Sequence, residues 1–416
     1  MTPRRIYPAQ WRLAVEVVAS VVQEGRAADR LLQHEFRQRK QMGGRDRAVV
    51  TDLVYGVLRD LRRLQRIAGG TRVQAWCAVL ALEAGQLDAE TLSRLGFENA
   101  EALVERLARF DAATLTPAER CNVPDAIFAI WCDSLGAEQA AQLGVALQTQ
   151  APVDLRVNTL RSTRDQARAA LRDDALETEA LPLAPNGLRL PRRAALQNAM
   201  AYREGWIEPQ DQGSQLLALL VAAQPGEKIA DYCAGAGGKT LALAAQMQDQ
   251  GELWAMDTEL VRLERLGPRL ERAGINCVRI HTLNAGDSDN PLSAQHGSFD
   301  AVLVDAPCTG TGTWRRQPEA RLKVLDLAAM AQLQGQILAD AAMLVRPGGR
   351  LIYGTCSLLP AENQQVIAAF LGTHADFARV DASAVLAQAG VTLAGMELQL
   401  YPHRHDTDGF FGVCLQ

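Results

Sequence analysis

Long apolar runs are missing from this chain of 416 residues. The longest run, 216–223, lies between two glutamines and is far too short to cross a bilayer. The first residues include Arg4, Arg5 and Arg12 but no apolar core of the kind that a secretory signal needs. These absences argue against a membrane-spanning or secreted protein, so we expect a cytoplasmic protein with no membrane partner.

Metal-binding patterns are also missing. The eight cysteines form no C-x-x-C pair, and none stands at zinc spacing from a histidine. His403 and His405 lie close together, but no acid or cysteine stands at metal spacing from them. Eight cysteines in a chain of this length do not make a disulfide scaffold, and most should be reduced thiols in the core. We expect no metal cofactor.

The composition, with 48% hydrophobic and 22% charged residues, is that of an ordinary folded protein. Charge is distributed unevenly along it. Residues 1–70 hold 14 Lys and Arg against 7 Asp and Glu, whereas the remainder holds 29 against 41. A basic segment on an acidic chain favours a polyanionic partner bound near that segment, and a merely solvated basic face is the alternative.

Four arginines in this basic segment recur at helical spacing. Apolar residues from Val50 to Leu64 form one stripe along a predicted helix. At the same three- and four-residue steps, nearly the opposite face carries Arg59, Arg62, Arg63 and Arg66. These side chains would form one exposed ridge that contacts phosphates, or they would serve only solubility.

The pattern along the chain predicts three domains. Residues 1–140 have helical periodicity throughout, and residues 141–206 are typical of a small α/β connecting domain. From 207 to 416, short apolar strands alternate with helical patterns, which predicts a Rossmann-like, doubly wound and mostly parallel α/β sheet. Its strands are expected at 228–233, 252–257, 277–281, 299–305 and 350–356, with a closing hairpin of 397–401 and 410–415.

A glycine-rich turn follows the first of these strands and opens a helix. Its residues are Cys233, Ala234, Gly235, Ala236, Gly237, Gly238 and Lys239. The turn lacks the glycine spacing of a P-loop and of the dinucleotide fingerprint, which opposes an NAD-type oxidoreductase. Asp257 ends the next strand, where an acid can bond ribose hydroxyls. A nucleoside without phosphates is therefore indicated, and S-adenosylmethionine fits.

Two cysteines follow the last two predicted parallel strands. Cys308 comes three residues after Asp305 in Asp-Ala-Pro-Cys, and Cys356 lies in Thr-Cys-Ser. In an open α/β sheet both strand ends lie on the ligand side, beside the glycine-rich turn. A thiolate that adds to carbon 6 of cytosine makes carbon 5 able to attack a methyl sulfonium. Because a free cysteine has a pKa of about 8.5, the nucleophile needs a cationic or dipolar neighbour, and Lys239 is one candidate.

Taken together, these motifs resemble those of the RNA cytosine-5 methyltransferases. They are Asp-Tyr-Cys-Ala-Gly-Ala-Gly-Gly-Lys-Thr, Asp-Ala-Pro-Cys-Thr-Gly and Thr-Cys-Ser, in this order. Residues 155–159 resemble the family's connecting RNA-recognition domain. Residues 45–47 and 55–59 resemble the NusB-like N-terminal domain of the RsmB branch, which methylates small-subunit ribosomal RNA.

The resemblance implies a role for each matching position. Cys356 matches the nucleophile, Cys308 the residue that assists product release, and Asp305 the acid that holds the cytosine edge. Residues 233–239 and Asp257 match the methyl-donor site. Within the turn this chain has Gly-Ala where the family usually has Ala-Pro, which should loosen the turn without removing its backbone donors.

Further contacts follow from the same resemblance. Asp287 lies in the loop where the family has an acid near the adenine, and Asp289 competes with it for that role. In addition to the four arginines above, RNA contacts are expected from Arg156, Asn158, Arg315 and Arg316.

The implied function is the transfer of methyl from S-adenosylmethionine to carbon 5 of a cytosine in RNA, by a monomeric enzyme acting on 16S ribosomal RNA or a small-subunit precursor. The same chemistry on transfer RNA is one alternative, and a catalytically inactive RNA-binding assembly factor is another. A loss of catalytic activity is opposed by the presence of the matching residues Lys239, Asp305, Cys308 and Cys356. DNA as substrate is opposed by the motifs and by the basic N-terminal segment.

Overall fold

The chain forms two compact units. The residues described by the computed structural model are 5–192, 194–283 and 292–416. The first unit consists of Met1–Gln150 and Thr313–Leu325, and the second consists of Ala151–Gly312 and Asp326–Gln416. The inserted segment, Thr313–Leu325, therefore folds with the first unit although it interrupts the second unit in sequence. The division into three domains at 140 and 206 stays a prediction.

The first unit is helical, as the sequence predicts. Its described helices are α1 (Pro8–Glu24), α2 (Ala28–Gln38), α3 (Gly44–Arg59), α4 (Leu61–Ala68), α5 (Val73–Glu83), α6 (Ala89–Arg94), α7 (Ala100–Arg109), α8 (Pro117–Arg120), α9 (Asp125–Leu135) and α10 (Ala137–Gln148). Apolar faces of α1, α3 and α5 meet in one core, where Val18, Val54 and Ala78 are fully buried. The side chains of Thr116 and Glu119 close a capping box at the start of α8.

A buried arginine of the inserted segment holds the ends of two elements of the helical unit. The guanidinium of Arg321 donates hydrogen bonds to the carbonyl oxygens of Asn122 (3.2 Å) and Leu147 (2.9 Å). The Trp314 ring lies 5.1 Å from the Arg321 guanidinium carbon. Burial lowers the pKa of Arg321 to about 9. The buried charge therefore depends on these carbonyl acceptors and on the aromatic face.

The second unit begins with a small antiparallel sheet. Its elements are β1 (Val153–Val157), α11 (Arg164–Asp173), β2 (Glu179–Ala180), β3 (Gly187–Leu190), α12 (Met200–Arg203) and β4 (Ile207–Pro209). The strand order is β2-β3-β1-β4, and β1 pairs with both β3 and β4 in antiparallel register. Leu155, Leu188 and Leu171 of α11 pack beneath the sheet in a core of their own.

The rest of the second unit is a larger, doubly wound sheet. Its elements are α13 (Gln212–Leu220), β5 (Lys228–Asp231), α14 (Gly238–Gln246), β6 (Glu252–Asp257), α15 (Leu260–Leu263), α16 (Gly267–Ala273), β7 (Val278–Thr282), β8 (Phe299–Asp305), α17 (Leu327–Ala342), β9 (Val345–Thr355), α18 (Gln364–Thr373), β10 (Arg379–Val380), α19 (Ala382–Gln388), β11 (Leu398–Leu400), α20 (Pro402–His405) and β12 (Phe410–Leu415). The strand order is β10-β12-β9-β8-β5-β6-β7, and β11 pairs with β12.

The five strands from β9 to β7 in this order are parallel, and β12 closes the sheet in antiparallel register. This confirms the predicted Rossmann-like fold, including the final antiparallel pair of β11 and β12. Between β6 and β7 the chain forms two short helices, α15 and α16, separated at 264–266. Among the described helices, none has the length and apolarity that crossing a membrane requires.

We predict that Arg321→Ala destabilises the helical unit by about 2–4 kcal/mol, because two buried carbonyl groups lose their donors. Urea unfolding of the full chain, followed by tryptophan fluorescence because Trp131 and Trp314 lie in this unit, measures the effect. Arg109→Ala is the matched control: its side chain is exposed, and the change should cost less than about 0.5 kcal/mol. Equal losses in the two variants would contradict the role assigned to Arg321.

Candidate active site

The site lies where the strand order of the large sheet reverses. The chain runs outward from β5 through β6 to β7 and then returns to β8 on the other side of β5. Ligands of doubly wound sheets bind outside the carboxyl ends of the strands at such a reversal. The glycine-rich turn follows β5 and Asp-Ala-Pro-Cys ends and follows β8, so both predicted motifs lie at this point.

The glycine-rich turn is tied to the end of β6. Asp257 accepts the backbone N–H of Gly235 on Oδ2 and that of Glu259 on Oδ1, both at 2.8 Å. Gly235 (φ 57°) and Gly237 (φ 80°) have left-handed backbone conformations. A Cβ at Gly237 would lie 2.2 Å from the side chain of Leu266, whereas one at Gly235 would meet nothing within 4 Å. The turn is therefore packed on one side and open on the other.

Asp231, at the end of β5, lies directly behind the turn. Its side chain is fully buried, and Thr240 donates a hydrogen bond to Oδ2 at 2.7 Å. Burial raises the pKa of Asp231 to about 7. The sequence analysis assigned no function to Asp231, because its burial depends on the two strands beside β5, which are β6 and β8.

Lys239 and Asp305 form an ion pair beside the turn. Lys239 Nζ lies 2.6 Å from Asp305 Oδ2, and the Lys239 side chain is largely buried. Burial disfavours the ammonium, but the charge and hydrogen bond of Asp305 outweigh burial and raise the pKa of Lys239. The ammonium also lies 5.6 Å from the centre of the Phe410 ring. Lys239 is thus held as a cation at the carboxyl end of β8.

The two predicted cysteines lie side by side. Cys308 Sγ and Cys356 Sγ are 3.4 Å apart, and both are free, half-buried thiols. Backbone hydrogen bonds join their loops: Ala306 N–H donates to Gly354 O at 2.8 Å, and Gly312 N–H donates to Cys356 O at 2.9 Å. The hydrogen bond with Cys356, followed by burial, raises the pKa of Cys308. The structure therefore brings together Lys239, Asp305 and both cysteines.

A buried carboxylate beside the cysteines escaped the sequence reasoning. Glu362 accepts hydrogen bonds from Thr309, Gln334 and Ser357. In the sequence it stands in Pro-Ala-Glu-Asn ahead of α18, where a proline and an acid are typical of a helix start. The only signal for another role was its position, six residues after Cys356.

Asp287 and Asp289 are the two predicted candidates for an acid near the adenine. Asp287 and its competitor Asp289 both lie outside the described residues. Among the residues that are described, no group of three or more His, Cys, Asp or Glu is arranged to hold a metal ion.

Two predicted RNA contacts are wrong, because their side chains are internal. Arg156 is 6% exposed and donates from Nε to Gln210 Oε1 at 2.7 Å, and burial lowers its pKa to about 10. Asn158 is 2% exposed and donates from Nδ2 to the carbonyl oxygens of Gly205 and Ala273, each at 3.0 Å. Both side chains satisfy buried polar groups of the second unit and do not reach solvent.

The predicted arginine ridge is also wrong as a continuous exposed strip. The helix ends at Arg59 and a new one starts at Leu61, which redirects the later side chains. The partners within the first unit are the Arg315 carbonyl for Arg59, Asp125 for Arg62, Asp60 and Glu83 for Arg63, and Glu119 for Arg66. Acidic neighbours thus offset much of the charge that the sequence placed there, and RNA contact by these arginines stays a prediction.

The predicted phosphate contact of Arg315 and Arg316 needs a similar correction. Both belong to the inserted segment, which folds with the helical unit and not with the Cys308 loop. Arg315 is 3% exposed, so its guanidinium is not available at the surface, whereas Arg316 is half-buried.

The fold and this site define a class I, Rossmann-like methyltransferase. The family description "16S rRNA methyltransferase RsmB/F" matches residues 218–416, and a ferredoxin-like domain of RsmF/B-like methyltransferases matches residues 123–197. A probable ribosomal RNA small subunit methyltransferase B from Synechocystis sp. is 30% identical, with 90% of this chain and 92% of the relative covered. The chain therefore belongs to the RsmB/F family of 16S rRNA methyltransferases, and its methyl donor is S-adenosylmethionine.

Solved structures share the fold of this chain. A methyltransferase homologue from Pyrococcus horikoshii is 28% identical, with a TM-score of 0.61 over 74% of this chain and 99% of that one. The protein PH0851 has the same fold, with a TM-score of 0.78 over 99% of both chains at 24% identity.

We predict that Asp257→Ala weakens S-adenosylmethionine binding by about 1–3 kcal/mol, because ribose hydrogen bonds are lost and Gly235 loses its anchor. Isothermal calorimetry with the full chain measures the change. Glu264→Ala, an exposed acid a few residues further on, serves as control and should bind the donor normally. Unchanged affinity in Asp257→Ala would exclude this carboxylate from the donor site.

We predict that the loss of folding stability caused by Asp231→Asn, relative to the wild type, becomes smaller as the pH rises. The folded-state pKa of Asp231 is raised to about 7 from an ordinary 3.8. The free energy of unfolding of the wild type therefore decreases as the pH rises from 3.8 to about 7, whereas asparagine does not titrate. Urea unfolding at about pH 5 and about pH 8 should show a smaller wild-type advantage at the higher pH. The exposed Asp376→Asn variant should track the wild type, and a constant difference for Asp231→Asn would refute a raised pKa.

Proposed function

We propose that this protein transfers the methyl group of S-adenosylmethionine to carbon 5 of a cytosine in 16S ribosomal RNA, through a covalent bond between Cys356 and carbon 6. The observation that carries the proposal is the cysteine pair: two free sulfurs 3.4 Å apart at the ends of adjacent parallel strands. They lie beside a cation and an acid, Lys239 and Asp305, at the ligand end of the sheet.

The first step is addition. The Cys356 thiolate forms a bond to carbon 6, and the ring electrons move toward carbon 5 and the ring nitrogen 3 edge. Asp305 is the acid that would hold that edge, since it lies at the end of β8. The Lys239 ammonium interacts electrostatically with Cys356, so it is the cation that a nucleophilic cysteine at this site requires.

The next two steps transfer the methyl group and release the enzyme. Carbon 5 takes the methyl group as its bond to the sulfonium breaks, leaving neutral S-adenosylhomocysteine. A base then removes the proton from carbon 5, and the bond between Cys356 and carbon 6 breaks, which restores the ring and the thiolate. Cys308 is proposed to assist this release because its sulfur lies against that of Cys356.

Ribosomal RNA is favoured over transfer RNA by the relatives. The Synechocystis protein, 30% identical and matched over nearly its whole length, is named a probable small-subunit ribosomal RNA enzyme. We assign RNA binding mainly to the helical unit, since the basic segment of the sequence lies there.

Two cysteine variants test the chemistry. Cys356→Ala should abolish methyl transfer and leave no covalent RNA adduct, because the thiolate is absent. Cys308→Ala should methylate but stall, so that a protein–RNA species persists through denaturing electrophoresis. The substrate is small-subunit ribosomal RNA incubated with labelled S-adenosylmethionine, with transfer RNA in a parallel reaction.

Cys132→Ala is the control, since this half-buried thiol lies on α9 in the helical unit and should leave turnover unchanged. An adduct with Cys356→Ala and none with Cys308→Ala would reverse the two roles. Methylation of transfer RNA alone would show that the chemistry is right and the substrate wrong.

A further inference from the structure

A buried carboxylate joins the two loops that carry the cysteines. Glu362 is fully buried in the turn between β9 and α18. Its Oε1 accepts the Thr309 N–H at 2.8 Å and Gln334 Nε2 at 3.0 Å, and its Oε2 accepts the hydroxyls of Thr309 and Ser357. Thr309 and Ser357 each directly follow one of the two cysteines. One side chain therefore fixes the residue after each reactive sulfur.

The charge of this carboxylate has no cationic partner within 4.0 Å among the residues that the structure describes. Amide and hydroxyl donors alone surround it, and such an arrangement stabilises an anion without cancelling its field at neighbouring groups. Gln334 also donates to Pro307 O at 2.9 Å, so α17 supports the same loop. Glu362 thus supplies both a fixed geometry and a local negative charge.

The two sulfurs have different charged neighbours. The hydrogen bond with Cys356 raises the Cys308 pKa most, burial raises it next, and the charge of Glu362 adds a smaller contribution in the same direction. Cys356 interacts with the Lys239 ammonium. A negative neighbour disfavours a thiolate and a positive neighbour favours it.

We propose that Glu362 is a positioning residue that clamps the two cysteine loops together and holds Cys308 as a neutral thiol, so that Cys356 is the thiolate that reacts. In this arrangement the Cys308 S–H donates to the Cys356 thiolate. When the Cys356 sulfur bonds to carbon 6, that thiol loses its acceptor and is free to change partners. The division of labour between the cysteines rests on the proposed function, but the clamp can be tested without RNA.

Among the described residues, three others act on the Cys308 thiol. Cys356 lies opposite, Glu362 lies behind the loop, and the Gly310 N–H, from the loop itself, lowers the Cys308 pKa. Tyr353 of β9 is also near, and burial above all raises its pKa, so it stays a neutral phenol. Glu362 is therefore the acid whose removal should change Cys308 most.

The test measures thiol reactivity against pH. Full-length protein is pulse-labelled with iodoacetamide across a pH series, and labelling at each cysteine is quantified by peptide mass spectrometry. In the wild type, Cys356 should react at lower pH than Cys308. In Glu362→Gln, which keeps the size but removes the charge, the Cys308 profile should move to lower pH, with labelling several-fold faster near neutral pH. Glu362→Asp keeps the charge and should hold the Cys308 profile near that of the wild type.

Glu227→Gln is the control, since this acid pairs with Arg350 at the opposite end of β5 and should leave both profiles unchanged. The proposal fails if Glu362→Gln speeds both cysteines by one factor at every pH, which loosened loops alone would do, or if it leaves Cys308 unchanged. Should Glu362→Gln not fold, a wild-type profile in which Cys308 reacts at lower pH than Cys356 would itself overturn the proposal. Expected labelling without RNA methylation would instead retain the clamp and refute the proposed function.

Discussion

The parallel pairing of β8 with β9 is the constraint on which the site depends. Asp305 lies opposite Gly354 in this register, so the chain beyond each strand leaves the sheet at the same level. The cysteines that follow are brought to 3.4 Å without any covalent link between the strands. A slip of one residue would turn every side chain of a strand to the other face, and a buried sheet opposes such a slip strongly.

The buried charged groups around the cysteines depend on specific partners. Three buried ionisable groups of the site have specific neighbours: Lys239 has Asp305, one oxygen of Asp231 has the Thr240 hydroxyl, and Glu362 has hydroxyl and amide donors. Buried groups of this kind are tolerated only when they are satisfied by partners. Removing one partner therefore exposes the cost of burying the other.

Sequence reasoning worked where a short stretch of chain determines the outcome. The strands at 252–257 and 299–305 were predicted to the residue, because apolar runs bounded by turn residues depend on local pattern. The positions of Cys308, Cys356 and Lys239 followed from strand ends in a parallel sheet, which is a rule of topology.

Sequence reasoning failed where residues distant in the sequence determine whether a side chain is buried or paired. Arg156 and Asn158 look like surface polar residues in the sequence, but segments from elsewhere in the chain supply their buried partners. The exposed ridge disappeared because Asp125, Glu83 and Glu119 come from other helices, and no local pattern shows that they will pair with the arginines. Glu362 is the clearest case, since its value lies in four donors from three separate segments.

The inserted segment, Thr313–Leu325, affects the order in which the protein can fold during its synthesis. On the ribosome the first 150 residues emerge as a helical unit that still lacks Trp314 and Arg321, two of the groups that fill and tie its interior. That unit can be finished only after β5 to β8 have left the exit tunnel, because these strands lie between its two pieces in sequence. Domains that are contiguous in sequence are free to fold one after the other during synthesis. In this protein the helical unit can be completed only after residues 151–312 of the second unit have been synthesised. Each of the two units is therefore encoded by two separate segments of the messenger RNA.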